Sequence, residues 1–160
     1  MPGPTVYIET TIPSYYFETR TTARAVAWRE ATRQWWNRHR AGYSLVTSSF
    51  VLNELALAPA AKSAPGASLL AGRPILESSP EVERIAGEYI RRRVMPASAV
   101  GDAAHLAACS LHGVNFLLTW NCKHLANANK ASHIRFVNEQ LGLSVPILTT
   151  PLELVPEDAS

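Results

Sequence analysis

The chain has 160 residues, an apolar fraction of 47%, a charged fraction of 18% and a net charge of +2, which suits one globular domain with a real core. Its pI near 8.7 is too mild to mark a nucleic-acid binder by itself. Cys109 and Cys122 form neither a CxxC pair nor a zinc spacing, and nothing suggests a disulfide framework, so a reducing cytoplasm is the easier fit. No apolar run approaches the length that spans a bilayer, and MPGPTVYIETT lacks the basic-then-apolar pattern of a signal peptide.

Thr5 to Ile8 is a short β-branched and aromatic run that predicts a buried first strand. Pro13 breaks the chain, and SYYFE forms at most a helical turn. Thr22 to Arg40 has helical spacing, with Trp28, Ala31 and Trp35 on one face. Trp28, Trp35 and Trp36 are expected to pack in the core rather than to stack on bases. Arg20, Arg24, Arg29, Arg33, Arg38, Arg40 and the later Arg91, Arg92 and Arg93 read as solvated helix faces. Tyr43 to Ser48 is a second strand, and Ser48 or Ser49 caps the helix FVLNELALA. From Ala60 to Gly72, with Pro65 and Gly66 interrupting, a broken helix or a helical connection is expected, then a third strand over Arg73 to Ser78. Ser79, Pro80 and Glu81 make a good helix start, and that helix runs to about Arg93. A helix carrying Asp102 continues to about His112 and stops at Gly113. Val114 to Trp120 is the clearest strand, apolar enough to be covered on both faces. A helix over Ala131 to Leu141 and a strand over Val145 to Thr150 close the pattern. Strands alternating with helices predict an α/β domain, a three-layer α/β/α sandwich on a central parallel sheet. It spans residues 1–150, and residues 151–160 form a short tail expected to fray.

Four polar groups sit beside apolar runs. Glu9 and Asn121 directly follow strands, where side chains of a parallel sheet converge on a ligand-binding edge. Glu54 and Asp102 lie on helices that can lean over that edge. A cluster of carboxylates persists when a cation neutralises it, and oxygen donors point to Mg²⁺ or Mn²⁺ rather than zinc. Such a site beside scattered arginines suggests a phosphate-containing substrate. Each group also has a plainer explanation: Glu9 as a strand-end surface residue, Asp102 as a first-turn helix acid, Asn121 as a turn residue. Glu54 is the hardest to explain away, because Val51, Leu52, Leu55 and Leu57 leave it little exposed face.

Four segments, in order, resemble the PIN-domain family, metal-dependent ribonucleases that include VapC-type toxins of toxin–antitoxin pairs. VYIETTIPSYY is similar to the family's first strand and acid-Thr-Thr motif. SSFVLNELA resembles its second acidic motif, and GDAAHLAACSLHGVNFLLTWNCKHLAN its third, followed by the central strand. FVNEQLGLSVPILTTPLEL is similar to the closing segment of a subgroup. The resemblance implies that Glu9, Glu54 and Asp102 hold Mg²⁺ or Mn²⁺, with Asn121 as a fourth catalytic group. Thr10, Thr11 and Thr119 would hydrogen-bond a carboxylate or a water, and His105 would support the site rather than act as a base. Lys123 and His124 would contact phosphate, with solvated turn residues as the alternative. The implied partners are an RNA substrate, an antitoxin protein and a second copy in a homodimer. The chain departs from the family in carrying Glu9 where Asp is commoner and Asn121 where many members carry an acid. A PIN-like RNA- or protein-binding module with a weakened or inactive metal site therefore stands as the alternative.

Overall fold

The computed structural model describes residues 3–157. Five strands form one all-parallel sheet: β1 (Thr5–Ile8), β2 (Ser44–Ser48), β3 (Ile75–Leu76), β4 (Phe116–Leu118) and β5 (Ile147–Thr149). The order is β3-β2-β1-β4-β5. The helices are α1 (Thr11–Tyr16), α2 (Ala23–Arg38), α3 (Ser49–Ala56), α4 (Ala60–Leu69), α5 (Pro80–Arg91), α6 (Val100–Leu111) and α7 (Ala131–Leu141). The chain steps outward from β1 to β2 to β3, then crosses back over the sheet to β4 and β5. Right-handed crossovers in opposite directions put helices on both faces, which is the α/β/α sandwich expected from the sequence.

β1 lies at the centre. Val6, Tyr7 and Ile8 are all fully buried, as a strand covered on both faces requires. On one side α1 packs on α2 and α4, and α3 on α4; on the other, α5 packs on α6. α7 joins that second layer through a buried polar knot. The Tyr89 hydroxyl of α5 donates to Asn138 Oδ1 of α7 at 2.6 Å, and the Asn138 amide donates to Ser110 Oγ of α6 at 2.9 Å. Burial pushes the Tyr89 pKa up to about 12, which keeps the phenol neutral and able to donate.

Four expectations change. Pro13 does not break the chain but sits in the first turn of α1, where its missing N–H would have no helical partner anyway. α4 runs unbroken through Pro65 and Gly66. Gly66 is there for close packing: a Cβ would stand 3.0 Å from a Leu55 methyl of α3 and 3.5 Å from Pro13 of α1. The segment after Pro151 does not fray over its described part. Leu154 is buried, and its carbonyl accepts the buried Trp35 indole N–H at 2.7 Å, a bond that indole needs when buried. α3 is also less covered than its composition suggests, since Leu57 is 90% exposed and only Val51 and Leu55 are buried. The tryptophans pack as expected: Trp35 and Trp36 are buried, and Trp28 stacks on Trp120 at 4.5 Å.

Most of the arginines are engaged rather than free. Arg24 lies over the Trp28 ring, Arg33 donates to the Tyr16 carbonyl and Arg40 to the Trp36 carbonyl. Arg91 and Arg92 pair with Glu88. Arg20 binds Glu18, a buried carboxylate that also accepts from Lys62 of α4 at 3.1 Å and from two backbone amides. The Arg20 and Lys62 hydrogen bonds, with that of the Arg20 amide, outweigh burial and hold the Glu18 pKa far below the usual carboxylate range. The folded carboxylate therefore stabilises the chain above its unfolded pKa, about 4.3, and this contribution is lost as pH falls toward the folded value. In acid titrations of thermal stability, Glu18→Gln should be less stable than wild type at neutral pH and lose less stability below about pH 4.

Candidate metal centre

The chain reverses its direction of travel across the sheet between β1 and β4, and the crevice beyond their carboxyl ends is where an open α/β sheet binds ligands. Ile8 pairs with Leu118, and the Glu9 amide donates to the Leu118 carbonyl at 3.2 Å. Glu9 therefore leaves β1 at the crevice, 4% exposed. Its Oε1 accepts three hydrogen bonds: from Thr11 N at 3.1 Å, Thr11 Oγ1 at 2.5 Å and Thr119 Oγ1 at 2.7 Å. Each threonine hydroxyl in turn accepts a backbone amide, Trp120 N at 2.8 Å for Thr11 and Asn121 N at 2.9 Å for Thr119. Those amides occupy the acceptor side of each hydroxyl and direct its proton to Glu9. Oε2 accepts no hydrogen bond among the described residues and lies 3.9 Å from His105 Nε2.

Glu54 reaches the same point from α3, whose first turn is capped by Ser48 Oγ accepting Val51 N at 3.2 Å. Its side chain is 43% exposed. Oε1 accepts from Thr10 Oγ1 and from His105 Nε2, the latter at 2.7 Å. Burial would raise the Glu54 pKa, but the His105 bond and charge and the Thr10 hydroxyl outweigh it and hold it down. His105 is fully buried on α6. Burial alone would lower its pKa; the Glu54 hydrogen bond and the charges of Glu9, Glu54 and Asp102 push it up instead.

Among the described residues, Glu9, Glu54 and His105 offer ligand atoms that all lie within 4.8 Å of one another. Asp102 is outside this tight group, in the first turn of α6 and partly exposed. It lies close enough for its charge to act on both His105 and Lys130. Gly101 brings that turn against Glu54, since a Cβ there would stand 3.2 Å from Glu54 Oε2. The donor set fits a hard divalent cation: carboxylates converge, and those of Glu9 and Glu54 are each fixed through one oxygen and open at the other.

The chain is similar to VapC20 of Mycobacterium tuberculosis, described as a sarcin–ricin loop cleaving toxin. The TM-score is 0.56 at 14% identity, covering 74% of this chain and 92% of that one. The chain has the VapC-type PIN fold. It is also similar to VapBC2 of Rickettsia felis, solved bound to a DNA fragment from their promoter. There the TM-score is 0.51 at 14% identity, covering 91% of this chain and 98% of that one. No protein-family model matches the sequence, and no curated protein does.

The remaining expected residues follow the β4 exit: the Asn121 amide joins the Glu9 network through Thr119, while Lys123 and His124 line a cleft whose walls do not include Glu9, Glu54 or Asp102. Asn121 is a turn-former here: its Oδ1 accepts His124 N at 2.9 Å, capping the turn that carries Lys123 and His124. Lys123, His124, Arg93 and Lys130 line a cleft of about 650 Å³ with an apolar floor that includes Ile90 and Met95. Arg93 adopts φ 60° at the end of α5, and Lys130 pins the following residue by donating to the Val94 carbonyl at 2.9 Å. Tyr7 and Ser48 join the site without having been expected there. The Tyr7 hydroxyl is 2.6 Å from both Ser48 Oγ and His105 Nδ1. The available signal was a phenol in the central, fully covered strand, which needs a buried partner. Among the described residues no helix is long and apolar enough to cross a membrane. Thr119→Val should destabilise the fold by about 1.5–3 kcal/mol, because it takes a donor from a buried carboxylate and an acceptor from the Asn121 amide. Thr119→Ser, which keeps the hydroxyl, should recover most of that in denaturant unfolding.

Proposed function

We propose that this chain is a divalent-metal-dependent endoribonuclease, the toxin of a toxin–antitoxin pair. The observation that carries this reading is the meeting of Glu9 and Glu54 at the switch point of a VapC-type fold, each bound through Oε1 and open at Oε2. Glu9, Glu54 and Asp102 would hold Mg²⁺ or Mn²⁺, since carboxylates crowded together call for a hard cation. When bound, such an ion supplies acidity to an attacking water and charge to steady the developing negative charge at phosphorus.

The protein's own groups do the rest. Thr11 and Thr119 fix Glu9, while Thr10 and His105 fix Glu54, so the open oxygens need little rearrangement on binding. Asn121 holds the turn that presents Lys123 and His124. With Arg93 and Lys130 these give the neighbouring cleft cationic walls over an apolar floor, suited to a backbone phosphate and the base attached to it. Cleavage of the sarcin–ricin loop by VapC20 supports an RNA substrate, and the VapBC2 pair supports an antitoxin partner. The same reading expects a homodimer and a cytoplasmic location.

The test is cleavage of a mixed RNA pool with Mn²⁺ by wild type and Asp102→Asn. Wild type should cut and leave 5′-phosphate and 3′-hydroxyl ends, a chelator should stop it, and the variant should be inert. Equal cutting by both proteins would overturn the assignment. Absence of both cutting and Mn²⁺ binding would favour an RNA- or protein-binding module.

A further inference from the structure

Ser48, Tyr7, His105 and Glu54 form one continuous hydrogen-bonded chain from the start of α3, through the central strand, to the open carboxylate. Its steps are 2.6 Å from Ser48 Oγ to Tyr7 Oη, 2.6 Å from Tyr7 Oη to His105 Nδ1 and 2.7 Å from His105 Nε2 to Glu54 Oε1. Tyr7, Ser48 and His105 are each at most 0% exposed, so no water competes for these protons.

The donor inventory fixes the direction of the chain when the imidazole is neutral. An ionised carboxylate only accepts, so His105 Nε2 carries the proton shared with Glu54. Nδ1 is then bare and must accept, and the group in contact with it is the Tyr7 hydroxyl. Tyr7 has one proton and gives it to His105, so it accepts from Ser48. Ser48 Oγ is already occupied as an acceptor by Val51 N, which leaves its own proton for Tyr7. The opposite tautomer would set the bare lone pair of Nε2 against Glu54 Oε1 at 2.7 Å.

We infer that Tyr7 is a positioning residue: backed by Ser48, it holds His105 in the Nε2–H tautomer, so that His105 serves Glu54 as a donor and is not itself a metal ligand. The site then offers a cation carboxylate oxygens only. That consequence rests on the metal-nuclease reading; the tautomer does not. Glu54 thereby matches Glu9, each having hydrogen-bond donors on Oε1 and an open Oε2. A tyrosine in the TVYI strand thus sets the ligand set through His105, without hydrogen-bonding either carboxylate.

The test is the ¹⁵N spectrum of the histidines in the full-length, metal-free protein, with pH raised until the His105 resonances stop shifting, so that the ring is neutral and the tautomer is read directly. Of the five histidines, only His105 is buried. Its Nε2 should be protonated and its Nδ1 bare and hydrogen-bonded. In Tyr7→Phe the Nδ1 resonance should move to that of an imidazole nitrogen with no hydrogen bond. Adding Mg²⁺ to wild type should leave the Nε2 proton in place. A wild-type spectrum with the proton on Nδ1, an Nδ1 resonance unmoved in Tyr7→Phe, or loss of the Nε2 proton on adding Mg²⁺ would each overturn the inference. Because the first result is obtained on wild type without metal, it stands if the variant does not fold. Calorimetry showing no Mg²⁺ or Mn²⁺ binding would overturn the nuclease reading alone.

Discussion

The burial of the Glu9 carboxylate at the end of the central strand is the constraint on which the rest of the site depends. A charge in that position is costly unless donors surround it. The protein supplies three of them from two neighbouring chain segments, Thr11 just after β1 and Thr119 just after β4. Each hydroxyl is oriented by a backbone amide from the β4 exit. The pairing of β1 with β4 and the orientation of Glu9 are therefore one network, and loosening either loosens both. Because all three donors act on Oε1, the same network that meets the cost of burial leaves Oε2 without a hydrogen bond among the described residues, 3.9 Å from His105 Nε2.

Glu54 shows the same division by a different route. It is on the exposed flank of α3 rather than inside the sheet, and its orientation comes from His105 and Thr10. His105 is in turn held by Tyr7 of β1, next but one to Glu9. The central strand thus governs both carboxylates, one through its end and the other through a phenol inside it. Geometry at the crevice is set by the residues just past β1 and β4, hydrogen-bonded to one another, and by side chains on α3 and α6, an arrangement that keeps a site close to its productive shape.

The strand–helix alternation, the ends of β1 and β4, and the carboxylates beside them were legible in the sequence because each follows from local chemistry. TVYI and VNFLLTW are apolar runs bounded by polar residues, Ser48 and Ser79 are capping residues, and Gly142 ends α7 in the left-handed region at φ 70°. What escaped was decided by contacts between distant residues. Pro65 and Gly66 look like a helix break until Leu55 and Pro13 are seen against Gly66. Leu154 reads as tail until the Trp35 indole is found on its carbonyl. Glu54 looked enclosed by leucines, yet Leu57 beside it faces solvent. Tyr7 reads as a strand former, and only its spacing to His105 on α6 reveals a second role.

The most direct test of the two-carboxylate site is to locate the ion itself, by anomalous scattering from crystals of the protein grown with Mn²⁺. A peak in coordinating contact with Oε2 of both Glu9 and Glu54, with His105 Nε2 still hydrogen-bonded to Glu54 Oε1, is the expected result. A peak bound through His105 Nε2, or no peak in the crevice at saturating Mn²⁺, would contradict it.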